Sequence, residues 1–164
     1  MRKVRSDKKR DVRPTVSIYI KRNLQTLKRI TGLSLQDVSL TLVQNAICND
    51  DVLRELQPFM LSNFVIENRV YIGGREGEPI KMNYRGETGK VPVKVPNRLD
   101  KDLRRLAYSI GLTPTSTTAL LIRKAMFNET FMESHKYLYL QHIEDREQVE
   151  DLEYFFKGLK GTRR

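Results

Sequence analysis

The hydrophobic residues near the amino terminus change from one spacing to another over a short distance. Residues 15–20 alternate polar and apolar side chains, which predicts a β-strand with one buried face. Leucine and isoleucine then recur at helical spacing up to Gly32, a residue type common at helix ends. Residues 34–37, Ser-Leu-Gln-Asp, have the spacing of an N-terminal capping box, and an apolar stripe follows them. The pattern predicts a strand followed by two helices.

The same order of elements returns in the second half of the chain. Valines alternate with other residues at 91–95, and leucines at helical spacing lead to Gly111. An offset of 79 residues aligns both helices of the two copies, pairing Leu24 with Leu103 in the first helix. The strands align only with an offset of 75. The sequence therefore predicts that the first helix of the second copy is about one turn longer.

These patterns divide the chain into five parts and predict an α+β fold that is mostly helical. In chain order the parts are a disordered basic arm at 1–13, a strand-helix-helix unit at 14–49, a linker at 50–89, a second unit at 90–128 and a helical extension at 129–164. Within the linker, residues 64–72 and 80–84 are predicted to pair as a hairpin across a glycine-rich turn.

The charge of the chain is unevenly distributed. Its 164 residues include 30 Lys and Arg against 20 Asp and Glu, a formal net charge of +10. Residues 1–128 hold 24 basic and 12 acidic side chains, whereas residues 129–164 hold 6 and 8. A basic excess on a small domain attracts polyanions, of which nucleic acid is the best candidate in a cytoplasmic protein. The expected arm contributes Arg2, Lys3, Arg5, Lys8, Lys9, Arg10 and Arg13.

Other classes of function find no candidate residues in the sequence. No Ser/His/Asp set or carboxylate pair has a recognisable context, so the sequence predicts neither an enzyme nor a cofactor. His135 and His142 have no cysteine or third ligand nearby, which argues against a metal site. The single cysteine cannot form an internal disulfide, and no apolar run reaches the length of about 18 residues that a membrane span needs. The sequence predicts a cytoplasmic protein without a membrane partner.

The second copy resembles a known family of DNA-binding proteins. The sequence Val-Lys-Val-Pro-Asn-Arg-Leu at 93–99, the later Leu103 and Gly111, and Ile-Arg-Lys-Ala-Met at 122–126 are similar to the ribbon-helix-helix family, which contains the Arc and MetJ repressors. The resemblance implies that each copy supplies one strand to an antiparallel two-stranded ribbon, so that one chain forms a pseudo-dimer. It also implies that the ribbon enters the DNA major groove. Both copies depart from the commonest family spacing by about one extra turn in the second helix.

The strand pattern and the resemblance together select candidate DNA contacts. Outward residues of the two strands are the expected base contacts: Thr15, Ser17, Tyr19, Lys21, Lys90, Pro92 and Lys94. Exposed donors at the start of each second helix are the expected phosphate contacts: Ser34, Gln36, Thr113, Thr115 and Ser116. Because half the backbone donors of a two-stranded ribbon have no partner, Pro92 is expected to point away from the ladder. A solvated sheet face and plain helix capping are the alternative interpretations.

The expected function is sequence-specific binding of double-stranded DNA, at an asymmetric site because the two outward sets differ. Tandem copies in one chain are similar to the TraY-type relaxosome accessory proteins of conjugative plasmids, which implies a relaxase or another mobile-element protein as a partner of the C-terminal segment. Transcriptional repression is the close alternative. An antitoxin-like interaction module with autoregulatory DNA binding is an alternative from another class. A nonspecific binder of RNA or single strands is a third, for which exposed aromatic residues are expected.

Overall fold

The computed structural model describes residues 9–74 and 80–161 and has an α+β fold made mostly of helices, as the sequence predicts. Six short strands are β1 (Arg10–Val12), β2 (Thr15–Ser17), β3 (Phe64–Ile66), β4 (Arg69–Tyr71), β5 (Thr88–Lys90) and β6 (Val93–Val95). Seven helices are α1 (Ile18–Thr31), α2 (Leu35–Ile47), α3 (Asp50–Leu56), α4 (Asn97–Ile110), α5 (Pro114–Met126), α6 (Glu129–Leu140) and α7 (Arg146–Gly161). No helix in the described ranges is long and apolar enough to cross a membrane.

Four of the strands form one antiparallel two-stranded ribbon within the chain. β1 pairs with β6, placing Arg10 opposite Val95, and β2 pairs with β5 in the same register, placing Thr15 opposite Lys90. The two pairings are continuous, since the Val91 N–H donates to the Pro14 carbonyl oxygen at 3.1 Å between them. Residues 10–17 and 88–95 therefore lie side by side as one antiparallel pair.

Two prolines interrupt the ladder at its centre. Pro14 occupies a hydrogen-bonded position opposite Val91 and has no N–H to return, so the ladder loses one bond there. Pro92 occupies the next position, where an antiparallel ladder takes no backbone bond from either strand. The imide nitrogen of Pro92 therefore faces away from the ladder, and its ring costs the ribbon no hydrogen bond.

The first strand lies nearer the amino terminus than the alternating pattern predicts. Residues 18–20 form the first turn of α1, because Ser17 caps that helix: its hydroxyl accepts a hydrogen bond from the Ile20 N–H at 3.3 Å. Ile20 then buries its side chain on the helix face that also carries Leu24 and Leu27. The prediction of an outward strand position for Tyr19 and Lys21 is therefore wrong. So is the expectation of disorder up to residue 13, since β1 begins at Arg10.

A single offset of 79 residues relates the two copies throughout. α4 begins at residue 97 and α1 at residue 18, α5 begins at 114 and α2 at 35, and α6 begins at 129 and α3 at 50. The prediction of a longer first helix in the second copy is wrong, since α1 and α4 both have 14 residues. It followed from aligning residues 18–20 with strand β6, whereas those residues are helical. Gly32 and Gly111 end the two helices with φ of +74° and +71°, a conformation that favours glycine.

The two copies share one hydrophobic core. α2 of the first copy packs on β6 of the second, and α5 of the second copy packs on β2 of the first. The two helices also pack against each other, with Leu42 and its counterpart Leu121 fully buried between the repeats. Burial of one such side chain contributes about 1.5–3 kcal/mol to the free energy of folding. Because each helix covers the other copy's strand, the copies depend on each other for stability.

The linker contains a hairpin, but with other partners than the sequence predicts. β3 pairs with β4 through a tight turn at Glu67 and Asn68, and Glu67 adopts a φ of +53°. The predicted pairing of 64–72 with 80–84 is therefore wrong: the local partner lies only a few residues away, so the chain closes a shorter loop. Helix α3, which the sequence analysis did not predict, precedes the hairpin. The predicted helices of the C-terminal extension are present as α6 and α7.

Candidate nucleic-acid interface

One face of the ribbon is buried and the other is open to solvent. Val12, Pro14, Val16, Val91, Val93 and Val95 turn inward and are buried. Because side chains alternate along a strand, the residues between them turn outward. We call this outward set the ribbon face; its residues are Asp11, Arg13, Thr15, Ser17, Thr88, Lys90, Pro92 and Lys94. It holds three cations, one carboxylate, three hydroxyl groups and a proline ring.

The register places each lysine of the ribbon face opposite a residue with a side-chain oxygen. Lys90 lies opposite Thr15, and Lys94 lies opposite Asp11. Both lysines are exposed, so their ammonium groups are free to approach a ligand. Ammonium and hydroxyl groups are the donors that contact guanine and phosphate oxygens in DNA complexes. Five of the seven predicted base contacts lie on this face: Thr15, Ser17, Lys90, Pro92 and Lys94.

The sequence analysis missed three members of the ribbon face. Arg13 lies at the centre of the ribbon and is exposed, although it was expected in a disordered arm. Asp11 and Thr88 are also exposed, at the two ends. Their signal is the alternation of buried positions at 12, 14 and 16, which Pro14 obscures because proline is uncommon inside a strand.

Tyr19 and Lys21 lie beside the ribbon rather than on its face. The Tyr19 ring stacks on Phe127 at the end of α5, with 6.1 Å between ring centroids. The aliphatic part of the Lys21 side chain covers Gly89, where an added Cβ would approach the Lys21 Cδ to 2.7 Å. Gly89 is on the inward side of the ribbon, so Lys21 packs under its end. These two residues support the ribbon in the structure.

The predicted phosphate contacts lie at the starts of α2 and α5. The Ser34 hydroxyl accepts a hydrogen bond from the Asp37 N–H, and the Thr113 hydroxyl accepts one from the Ser116 N–H, both at 3.1 Å. Both capping residues are exposed, while Gln36, Thr115 and Ser116 are half-buried. Helical capping is therefore the role that the structure assigns to Ser34 and Thr113. Because Pro114 at the first position of α5 has no N–H, the start of α5 has one backbone donor fewer for an anion than the start of α2.

The expected basic arm divides into three parts. Arg2, Lys3, Arg5 and Lys8 lie outside the described residues, and Lys9 is exposed. Arg10 contacts the carboxylate of Asp100 on α4 at 3.2 Å, and the same carboxylate accepts from Arg104 at 3.0 Å. Arg10 thus joins the first strand to the second copy, and Arg13 is the one described cation of the arm that lies on the ribbon face.

The histidines of the chain and the buried Tyr139 lie in the C-terminal extension, outside the ribbon. His135 is buried between α6 and α2, within 3.0 Å of the Tyr139 hydroxyl, and burial lowers the pKa of His135 to about 4. Burial likewise raises the pKa of Tyr139. His142 lies beyond the end of α6 and is exposed, so the two histidines are in different surroundings. In the part of the chain that the structure describes, no group of three His, Cys, Asp or Glu side chains is placed to hold a metal ion.

Comparison with protein-family models, with curated proteins and with solved structures finds no match to this chain.

Proposed function

We propose that this protein binds double-stranded DNA by inserting the ribbon face into the major groove, in the manner of ribbon-helix-helix proteins. The observation that carries the proposal is the continuous antiparallel register from Arg10–Val95 to Ser17–Thr88, with every outward position polar, charged or proline. A two-stranded ribbon fits the width of the major groove, and its outward side chains then reach base edges. The two copies would act as a pseudo-dimer within one chain.

The DNA site is expected to be asymmetric. The offset of 79 residues places Thr15 equivalent to Lys94 and Arg13 equivalent to Pro92. Equivalent positions thus carry different chemistry, and the two half-sites would be read differently. Lys94 is suited to guanine O6 and N7, whereas Thr15 has the hydroxyl for a weaker, less selective contact. A perfect palindrome is not the expected target.

In its biological setting, we propose that the protein acts at a plasmid or mobile-element site, as a relaxosome accessory factor or as a repressor. The chain's basic residues are concentrated before residue 129, and α6 and α7 carry the acidic remainder. A segment that repels phosphate is free to contact another protein, such as a relaxase. Sequencing of plasmid fragments retained by the purified protein separates the two roles, because a transfer origin and a promoter lie at different places.

A salt titration with two duplexes tests the proposal. One, the retained duplex, has the sequence of a fragment that the purified protein retains, and the other has a random sequence. With roughly 6–10 phosphate contacts, affinity falls by about 10³–10⁵ between 50 and 200 mM salt, and the preference for the retained duplex persists. Lys94→Ala is expected to reduce that preference, while Lys157→Ala, at an exposed position on α7, leaves it unchanged. Equal affinity of the wild type for both duplexes at every salt concentration would contradict the proposal.

A further inference from the structure

Two grooves lie at equivalent places in the two copies, one beside each end of the ribbon. The first groove has a volume of about 550 Å³ and is lined on its repeat side by Ser17, Ile20, Arg123 and Phe127. The second has a volume of about 730 Å³ and is lined by Pro96, Leu99, Gln44 and Cys48. The offset of 79 relates the two sets: Pro96 is equivalent to Ser17 and Leu99 to Ile20. In the other direction, Gln44 is equivalent to Arg123 and Cys48 to Phe127. The repeat therefore builds the same groove twice.

The linker gives the two grooves different outer walls. Residues 81–85 cover the first groove and are fixed to the ribbon by Tyr84, whose hydroxyl donates to the Thr15 carbonyl oxygen at 2.6 Å. The hairpin residues 65–67 cover the second groove. Because the linker occurs once in the chain, it breaks the symmetry that the repeat would otherwise impose on the two ends of the ribbon.

The two walls differ in charge. The first groove is lined by three cations, Lys81, Arg85 and Arg123, and by no carboxylate among the described residues. In the second groove, Gln44 lies at the position equivalent to Arg123, and the lining includes two carboxylates, Glu67 and Asp102. The lining of the second groove also holds Arg98, Lys101 and Arg105. The two carboxylates of the second groove thus offset two of its three positive charges. The three positive charges of the first groove are not offset by any carboxylate among the described lining residues.

From this difference we infer that the first groove binds a backbone phosphate of the DNA, just beyond one end of the ribbon, and that the second groove does not. This inference rests on the proposed function. Thr15 and Ser17 belong both to the ribbon face and to the lining of the first groove, so the groove continues the surface that would meet the DNA. Lys81, Arg85 and Arg123 are exposed, and none of them forms an ion pair with another described residue.

The local geometry favours an anion over an apolar ligand. Burial raises the pKa of Tyr84 and the positive charge of Arg123 lowers it, which indicates that the guanidinium lies near the tyrosine hydroxyl. Sites lined by arginine, lysine and hydroxyl groups commonly bind phosphate. The DNA footprint would then extend further on the side of β2 and β5 than on the side of β1 and β6.

A pair of double variants in the full chain tests this inference. Lys81→Gln with Arg123→Gln neutralises the first groove and gives position 123 the residue type of its counterpart Gln44. Arg98→Gln with Lys101→Gln removes two exposed cations from the second groove and is the matched control. Thermal unfolding of each variant verifies that the fold is retained. Duplex affinity is measured between 50 and 200 mM salt, and phosphates are mapped by ethylation interference on the retained duplex.

We expect the first double variant to bind the retained duplex roughly tenfold to a hundredfold more weakly. We also expect its salt slope to be smaller by about one and one outer phosphate to lose its interference. The control is expected to change affinity by less than about threefold. Equal losses in both double variants, or no loss in either, with normal wild-type binding, would overturn the inference alone. A wild type that binds no duplex would instead contradict the proposed function, and this inference with it.

Titration with pyrophosphate separates a backbone phosphate from a small free anion. Weak binding is expected, since the groove is open and the DNA supplies the phosphate together with many other contacts. Tight pyrophosphate binding that Arg123→Gln abolishes, together with an unchanged duplex affinity, would assign the groove to a small anionic ligand and overturn the assignment to DNA.

Discussion

Asn49 and Asn128 occupy the same position in the two copies and cap the helices α3 and α6 in the same way. The Asn49 side-chain oxygen accepts from the Val52 N–H at 3.1 Å, and that of Asn128 accepts from the Phe131 N–H at 2.8 Å. The repeat therefore extends one helix beyond the unit that the sequence predicts. Asn128 has a second role, since its amide group donates to the Glu55 carboxylate of the first copy at 2.9 Å.

This difference between two equivalent caps predicts unequal losses of stability. Asn49→Ala removes one capping bond and is expected to cost about 1 kcal/mol. Asn128→Ala removes a buried cap and the bond to Glu55, so it is expected to cost about 2 kcal/mol. Urea unfolding measures both values. Equal losses would show that the contact with Glu55 contributes nothing.

Truncations in the core test whether the copies unfold as one unit. Leu27 and Leu106 are equivalent and fully buried, so Leu27→Ala and Leu106→Ala are each expected to cost about 2–5 kcal/mol. Because α2 and α5 each pack on the other copy's strand, each variant should show a single unfolding transition with an unchanged m-value. Tyr108→Ala, at a side chain 80% exposed, is the control and should change stability by less than about 0.5 kcal/mol. Two separate transitions for Leu27→Ala would contradict the interlocked core.

Buried His135 makes the stability depend on pH. Its folded-state pKa of about 4 lies below the ordinary value of 6.5, so the folded protein favours the neutral ring. The stabilisation is fully present above pH 6.5 and is lost as the pH falls towards 4, by about 3 kcal/mol at most. His135→Gln keeps a polar side chain without this titration. As the pH is lowered from 6.5 towards 4, the free energy of unfolding should fall more steeply for the wild type than for the variant. Parallel curves would contradict this account.

Removal of residues 1–8 separates the basic arm from the ribbon. The deletion removes four cations, Arg2, Lys3, Arg5 and Lys8, and leaves Arg10, which contacts Asp100, in place. We expect weaker binding to every duplex by a similar factor and a smaller salt slope, since contacts between basic side chains and phosphates do not depend on the base sequence. A loss confined to the retained duplex would indicate that the segment reads sequence.

Hydrophobic spacing alone identifies the two helices of each copy. The apolar stripes that contain Leu24 and Leu103 each end at a glycine, and they predict α1 and α4 because their residues lie on the buried face of each helix. A second apolar stripe after each glycine predicts α2 and α5. Pairing of the two strand segments within the chain came from the family resemblance rather than from spacing. This pairing joins residues far apart in sequence, such as Arg10 and Val95, and the spacing within either segment does not predict it.

The strand boundary could not be read from the sequence because two patterns overlap there. Residues 15–20 alternate as a strand does, but Ile20, Leu24 and Leu27 also have helical spacing, and the Ser17 cap decides for the helix. Two of the predicted base contacts, Tyr19 and Lys21, were assigned to the wrong element for this reason. The groove beside Tyr84 could not be predicted from the sequence either, because it depends on where linker residues 81–85, which have no periodic pattern, lie against the ribbon.

Interference by methylation of guanine N7 tests the central claim most directly, because N7 lies in the major groove. The full chain is bound to its retained duplex, and bound and free DNA are compared at each guanine. We predict that methylation blocks binding within a short asymmetric site, and that Lys94→Ala removes the block at one or two of its guanines. Binding that tolerates methylation at every guanine of a guanine-containing site, while remaining sequence-specific, would contradict a ribbon in the major groove.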